Sequence, residues 1–314
     1  MNYLKDYREG EKFVGTYLCK QKQILKTKAG KTYYSLTLQD KTGTADGKIW
    51  ELNNGIANFE PMDYIHCEGM VTSFQGNLQM NISRVRISDE GEYDPADYVP
   101  CTNKDVGEMF SRILKYVASV QNKYLRKILE MYFVENKEFV DAFKKHSAAK
   151  SVHHGFMGGL LEHTLSVTDM CQYFAEHYPM IHRDLLITAA LFHDMGKIQE
   201  ISDFPLNDYT DDGQLLGHIY IGARCMDNAA AQIPNFPPKL KNELVHCILA
   251  HHGKMEFGSP KVPAIMEAMA LHMADNADAK LQTLTEVFTQ AGDNMGWLGF
   301  NRMFESNLRK TSEE

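Results

Sequence analysis

The chain has 314 residues, 44% hydrophobic and 24% charged, enough apolar material for real cores and too long for one ordinary domain, which points to two. Six cysteines, Cys19, Cys67, Cys101, Cys171, Cys225 and Cys247, fall without any CxxC pair; this excludes zinc-ribbon chemistry and predicts reduced, packed thiols rather than a disulfide framework. The net charge of −8 conceals an asymmetry: residues 1–88 carry 12 Lys and Arg against 9 Asp and Glu, whereas residues 89–314 carry 21 against 32, so a polyanion is expected to meet the N-terminal part.

Residues 1–12 are polar and charged, without the apolar stretch of a signal peptide, and no later run reaches the length of a membrane span. A soluble cytoplasmic protein with no membrane partner is expected. From 12 to 87 the pattern is short β-rich segments separated by turn signals, Lys28-Ala29-Gly30-Lys31, Asp40-Lys41-Thr42-Gly43 and Gln75-Gly76-Asn77, which reads as five strands. A polar stretch at 53–58 suits a small helix or loop between the third and fourth strands, as a five-stranded OB-like barrel requires. Period-two geometry sends Tyr34, Leu36 and Leu38 of the second strand and Ala45, Gly47 and Ile49 of the third into the barrel, leaving Tyr33, Lys48 and Trp50 outside. That outward set would form a stacking platform with charge beside it, extended by Phe74, Arg84 and Arg86, the arrangement by which OB-folds hold single-stranded nucleic acid. Lys20, Lys22, Lys26, Lys28 and Lys31 have no acid between Glu11 and Asp40 to offset them, a run that reads either as polyanion contact or as a solvated strand face.

The barrel is taken as 1–88 and an acidic, Gly- and Pro-bearing linker as 89–102. Beyond it strands give way to helices near 103–119, 121–133, 136–146, 159–177, 183–195, 217–232, 238–252 and 263–288. The fold class is therefore multidomain α+β, a barrel followed by an all-α domain over 103–290, with a tail at 291–314. Trp297, Phe300 and Phe304 near the end are expected to pack back on the core.

Within the helices, polar residues end or interrupt apolar stripes. His163 shares a face with Val167, Met170 and Phe174; His193 lies on the stripe of Leu186, Ala189 and Ala190; His251 follows Leu244 and Ile248; Asp275 follows Ala264, Ala268 and Leu271. One buried imidazole is ordinarily a hydrogen-bonded core residue, but several facing inward from separate helices are most simply explained by convergence on a cation. Imidazole with carboxylate suits Zn, Mn, Fe, Co or Ni better than Ca, and Mg would want more oxygen. Lys197 reads as a cation for a phosphoryl oxygen or as a lysine at a helix end. His153 and His154, ahead of the His163 helix, read as substrate contacts or as solvated imidazoles in a glycine-flanked connection. Asp278 reads as solvated or as lying behind the ligands.

The order His163, His193-Asp194, His218, His251-His252, Asp275, with Met195-Gly196-Lys197 completing HDxGK, closely resembles the HD superfamily of metal-dependent phosphohydrolases. The resemblance implies that His163, His193, Asp194 and Asp275 are primary ligands, that His218 and the His251-His252 pair hold a second ion, and that Asp194 and Asp275 touch both. Which of His251 and His252 ligates is left open, with the helical face favouring His251. A barrel ahead of such a domain, with HHGFMGGLLEHTLSV before the ligands, resembles the YhaM family of exoribonucleases. This implies trimming of single-stranded RNA, and of DNA as a secondary substrate, from the 3′ end to nucleoside 5′-monophosphates. Two divalent ions are implied, manganese first, with cobalt, iron, nickel, zinc or magnesium as alternatives; a homo-oligomer is compatible. Two other readings stand beside it: a nucleotide or cyclic-nucleotide phosphohydrolase whose barrel serves assembly, and a non-catalytic binding protein of replication or regulation with a degenerate HD site.

Overall fold

The computed structural model describes residues 3–74, 77–150 and 154–312. The chain divides into two compact units, Met1–Cys101 with Phe204–Leu206, and Thr102–Asp203 with Asn207–Glu314.

In the first unit, β1 (Lys12–Lys26), β2 (Thr32–Asp40), β3 (Gly43–Ile49), β4 (Tyr64–Phe74) and β5 (Asn77–Ile87) close into a barrel in the order β1-β2-β3-β5-β4. β1 pairs twice: its first half runs antiparallel to β4, Lys12 opposite Met70, and its second half antiparallel to β2, Lys26 opposite Thr32. A register shift between Cys19 and Gln21 supplies the bend between the two pairings. A short parallel pairing of β3 with β5, Asp46 to Lys48 against Gln79 to Asn81, closes the ring, which is the five-stranded OB-type arrangement. The period-two expectation is met: Leu36, Leu38 and Ile49 are buried, and Tyr34 and Ala45 pack against them. Residues 53–58 form a loop rather than a helix, with Ile56 bridging Val85.

In the second unit the described residues form nine α-helices: α1 (Val106–Ser119), α2 (Lys123–Phe133), α3 (Lys137–Lys145), α4 (Gly159–His177), α5 (Arg183–Phe192), α6 (Lys197–Glu200), α7 (Asp211–Ala231), α8 (Pro238–Ala250) and α9 (Met266–Gln290). Asp105, Asn122 and Asn136 cap the first three through backbone N–H groups that a helix start leaves unpaired. α5 is buried from Leu185 to Phe192 on every side, so it is the centre, with α4, α8 and α9 packed around it. Phe133 sits against Phe139, Phe143 and Phe192, with ring centroids 5.2–5.4 Å away, which fixes the end of α5 where the HD motif begins.

Several helix boundaries shift from the sequence reading, and two of the shifts bear on the HD motif and its neighbour. α5 stops at Phe192, because His193, Asp194 and Met195 turn out of the helix before α6. α7 starts at Asp211 rather than 217: Thr210 caps it by accepting from Gly213 N at 2.9 Å, and Gly217, at φ 72°, kinks it where a break was expected. The tail does not pack its aromatics into the core. Trp297 and Phe300 are 68% and 66% exposed beside a short hairpin of β6 (Phe300–Asn301) and β7 (Ser306–Asn307). All six cysteines are unpaired thiols, and among the described residues no helix is long and apolar enough to cross a membrane.

Gly69 lies at the register shift between β4 and β5, where a Cβ would stand 2.0 Å from Asn81 O and 2.8 Å from the Phe13 ring. Gly69→Ala is therefore expected to destabilise the barrel by roughly 1–3 kcal/mol through overpacking. Denaturant unfolding followed by Trp50 fluorescence checks this, and an unchanged midpoint would show that the pairing yields freely at this point.

Candidate metal centre

The histidines of the helical unit are aimed by their backbone surroundings. His193 and His251 each occupy the residue just past a helix, α5 and α8, and each returns its Nδ1–H to the carbonyl three residues back, Ala190 O at 2.8 Å and Ile248 O at 2.6 Å. Those carbonyls belong to the last turn, which lacks N–H partners of its own. His252 Nδ1 donates to Phe257 O at 2.8 Å. At the α7 kink, Glu200 Oε1 accepts from both the backbone N–H and Nδ1 of His218, each at 2.9 Å. His163 on α4 donates from Nδ1 to Asp278 Oδ2 on α9 at 2.7 Å. A carbonyl or carboxylate can only accept, so all five rings carry Nδ1–H, and Nε2 is left as the ligating nitrogen.

Four of these Nε2 atoms, those of His163, His193, His218 and His251, gather around Asp194. His163 Nε2 is 3.1 Å from His193 Nε2, 3.2 Å from Asp194 Oδ2 and 3.3 Å from Asp275 Oδ1. On the other side, His218 Nε2 and His251 Nε2 are each 3.5 Å from Asp194 Oδ1. Among the described residues the side-chain donors form three groups: His163, His193 and Asp275, and His218, His251 and His252, to each of which Asp194 turns one oxygen, and His154, His163 and Asp278, which are already hydrogen-bonded to one another. Among the described residues Asp194 Oδ1, His218 Nε2 and His251 Nε2 are buried without a hydrogen-bond partner. Buried acceptors facing one another at such distances are costly unless a cation lies among them. The donor set thus fits a divalent transition metal, with nitrogen and oxygen ligands of the kind manganese, iron, cobalt, nickel or zinc accept.

The electrostatics agree. Burial opposes charge on His163, yet Asp194, Asp275 and Asp278 together hold its imidazole well above the ordinary value; a proton there partly answers the crowded carboxylates. Burial also opposes ionisation of Asp194, but Lys197 and His193 hold it well below the usual carboxylate range. Lys197 Nζ stands 2.7 Å from Asp194 Oδ2. Burial would depress Lys197, and Asp194 more than offsets this. Burial keeps His251 and His252 below the usual imidazole range, hence neutral and able to ligate.

His163, His193, Asp194, His218, His251, His252, Asp275 and Lys197 are thus brought together, and both members of the 251–252 pair reach the second group. His154 is a correction: expected to touch substrate or solvent, it is 2% exposed and its Nε2 lies 2.9 Å from Asp278 Oδ2. His153 lies outside the described residues. Asp278 is no solvated residue, since it accepts from His154, His163 and Ser166 at once. Burial opposes its charge, yet His154 and His163 hold its carboxyl far below the usual range. Glu200 went unread, its partner His218 being 18 positions away. A cavity of about 450 Å³ opens on the cluster, lined among others by His163, Lys197, His218, His252 and Asp275.

On the barrel, Tyr33 and Trp50 stack on each other with centroids 4.6 Å apart, and Trp50 Nε1 donates to Asn81 Oδ1 at 3.0 Å. Lys48 lies on β3, two residues before Trp50, and donates to Ser35 Oγ at 2.7 Å and Asp46 Oδ1 at 2.6 Å. Phe74 is 61% exposed. Arg84 and Arg86 do not join it, because Phe74 pairs with Asn77 at one end of the β4–β5 ladder and Arg86 with His66 towards the other. Arg86 is moreover held by both oxygens of Glu92, at 2.6 and 2.8 Å, and Arg84 faces Glu68 at 3.8 Å.

Residues 160–280 match the HD domain family. The 3′-5′ exoribonuclease YhaM of Bacillus subtilis (strain 168) is 32% identical over 81% of this chain and 81% of its own length. That of Listeria innocua serovar 6a is 32% identical over 90% of each, and that of Geobacillus sp. (strain WCH70) 32% identical over 81% of this chain and 78% of its own. Among solved structures, the second OB-fold domain of replication protein A from Methanococcus maripaludis aligns with 29% of this chain and 98% of its own at 20% identity and a TM-score of 0.24.

The glycine of the HDxGK motif has a steric task. A Cβ on Gly196 would stand 2.1 Å from His218 O and 2.9 Å from Gly222 N, so only glycine lets α7 bring His218 to Asp194. Gly196→Ala is expected to keep its helical circular dichroism while weakening Mn²⁺ binding on the order of 10- to 100-fold, as loss of a ligand's support does. Calorimetric titration measures it, and parental affinity would show that the contact does not set the site.

Proposed function

The chain belongs to the YhaM family of 3′-5′ exoribonucleases, and from that premise we propose how its own residues perform the reaction. It is a divalent-metal-dependent hydrolase that removes nucleotides from the 3′ end of RNA. Single-stranded RNA is the preferred substrate in this reading, with single-stranded DNA accepted and nucleoside 5′-monophosphates released. The observation that carries it is the convergence of four Nε2 atoms, those of His163, His193, His218 and His251, on the two oxygens of one buried carboxylate, with His252 beside the last two. His163, His193, Asp275 and Asp194 Oδ2 would hold one ion; His218, His251, His252 and Asp194 Oδ1 would hold a second, manganese being the first choice. Bound divalent cations supply Lewis-acid stabilisation of phosphoryl oxygens and lower the pKa of water towards neutrality.

The chain's residues prepare for that chemistry. Asp194 is kept ionised by Lys197 and His193, and Lys197 lines the cavity with its ammonium, where a non-bridging phosphate oxygen can accept from it as charge develops. Asp278 and Glu200 fix the tautomers of His163 and His218. Tyr33, Trp50 and Lys48 on the barrel, with Phe74 as an outlying ring, form the surface proposed to hold the strand, because every base has a face that can stack. Arg84 and Arg86, both facing acids, would contribute less. Reduced thiols suit the cytoplasm.

The decisive experiment incubates 5′-labelled single-stranded RNA with metal-stripped protein and one divalent ion at a time, and sizes the products. Manganese is expected to restore a ladder shortening from the 3′ end. Asp194→Asn should lower the rate on the order of 10³-fold or more while retention of RNA on a filter stays near that of the parent. Parental activity in this variant would remove Asp194 from the mechanism.

The barrel face is tested separately. Tyr33→Ala and Trp50→Ala should each weaken binding of a long oligoribonucleotide by about 1–3 kcal/mol and leave the cleavage rate of a dinucleotide unchanged. Equal losses on both lengths would detach the barrel face from strand capture.

A further inference from the structure

The inward imidazoles make up only part of the cavity that opens on them. Tyr209 and Phe257 line it as well, although 46% and 55% of their surfaces are exposed. Neither ring serves the metal-facing groups, yet both are held in place by their backbone. Tyr209 is bridged to Ile201, whose carbonyl lies 3.0 Å from the buried His146 Nε2. Phe257 offers its carbonyl to His252 Nδ1, so this ring is tied through one residue's backbone to an imidazole of the second ligand group. Ala148 and Ala149 line the cavity beside Ile201 and Tyr209, with His272 and Asn276 from α9 elsewhere on its wall. A volume of about 450 Å³ has room for a nucleotide-sized ligand.

We propose that Tyr209 and Phe257 are stacking platforms for the nucleobases next to the scissile phosphodiester at the end of the strand, an assignment that rests on the exoribonuclease reading. A phosphate bound at the imidazole and carboxylate cluster carries a nucleoside on each side, and the cavity offers two exposed aromatic rings. A lysine accompanies each of them: Lys150 Nζ lies 5.8 Å from the Tyr209 centroid and Lys254 Nζ 5.2 Å from that of Phe257. Each ammonium is anchored beside its ring by a carboxylate, Lys150 by Asp208 at 2.6 Å and Lys254 by Glu256 at 3.2 Å; an exposed cation–π contact is weaker than a base stack, so an arriving base takes the ring face and leaves the positive charge at its edge. The rings take any base by its face and read none of its edges, so the grip is independent of sequence.

The test uses the manganese-loaded full chain and two oligoribonucleotides, one ordinary and one whose two 3′-terminal nucleotides lack bases. Tyr209→Ala and Phe257→Ala are each expected to raise KM on the ordinary strand roughly tenfold, with manganese content and circular dichroism unchanged. Tyr209→Phe and Phe257→Trp, which keep a ring, should stay near the parent. On the abasic strand the parent should already show the raised KM, and the alanine variants should lose nothing further. Equal losses on both strands, or failure of Tyr209→Phe to preserve KM, overturn the assignment alone. Failure of the loaded parent to cut either strand overturns the exoribonuclease reading and this assignment with it.

Discussion

An imidazole can offer a lone pair to a cation only at the nitrogen that carries no proton, and here the partner of the other nitrogen makes that choice five times. Two partners are carbonyls left over at the ends of α5 and α8, one is the carbonyl of Phe257, and two are the carboxylates of Glu200 and Asp278. None of them can donate, so none can be satisfied by the other tautomer. The Nε2 atoms of His163, His193, His218 and His251 face one another and the oxygens of Asp194 at 3.1–3.5 Å, and the proton that the carboxylates hold on His163 gives way when a cation is bound. The geometry is unfavourable for the empty chain and favourable for a loaded one, and metal binding is thereby coupled to the stability of the helical unit.

That coupling explains why the helices end where they do. A helix interior would occupy the Ala190 and Ile248 carbonyls with backbone N–H groups; only past the last turn can they hold an imidazole. The proposed ligands His193 and His251 therefore sit at C-terminal ends, and the fully buried α5 fixes the first of them by anchoring Phe192 in the cluster of Phe133, Phe139 and Phe143. α7 must kink at Gly217 so that His218 can bond through its backbone N–H and its ring to the same Glu200 oxygen. Gly196 in turn removes the side chain that would keep the two segments apart. Packing, chain breaks and ligand tautomers solve one problem together.

Much of this was legible in the amino-acid order. Alternation of Leu36 and Leu38 with polar neighbours predicts the buried side of a strand, and His163, His193, His251 and Asp275 end apolar stripes whose periodicity aims them inward. The supporting groups were not legible in the same way. Asp278 lies on α9 three positions beyond Asp275, but its bond to His163 spans 115 positions, and no local pattern announces it. His154 sits in a glycine-flanked stretch that reads as a surface loop, and only the packing of α9 against α4 buries it on Asp278. Lys22 belongs to a run that reads as solvated charge, yet its side chain is buried, with Nζ 2.5 Å from Phe59 O and over the Tyr34 and Phe59 rings. The tail aromatics fail for the opposite reason: apolar spacing predicts burial, but a two-residue hairpin offers them no surface to cover.

The fate of these charges bears on how an RNA strand is held. The surplus of positive charge in residues 1–88 is a sum over side chains, and several of its members are already engaged. Lys22 lies inside the barrel wall, Lys48 is held by Asp46, Lys31 by Glu51 and Arg86 by Glu92. The helical unit has an excess of acid, of which Asp194, Asp275, Asp278 and Glu200 face imidazoles. What both units have in common is aromatic surface, Tyr33 with Trp50 on the barrel and Tyr209 with Phe257 at the cavity. Stacking depends little on which base is presented, whereas edge hydrogen bonds would favour one base over the rest. An enzyme that shortens a strand from its end must accept whichever base the previous cleavage exposes, and the proposed grip of ring faces would meet that requirement without loss of hold from one nucleotide to the next.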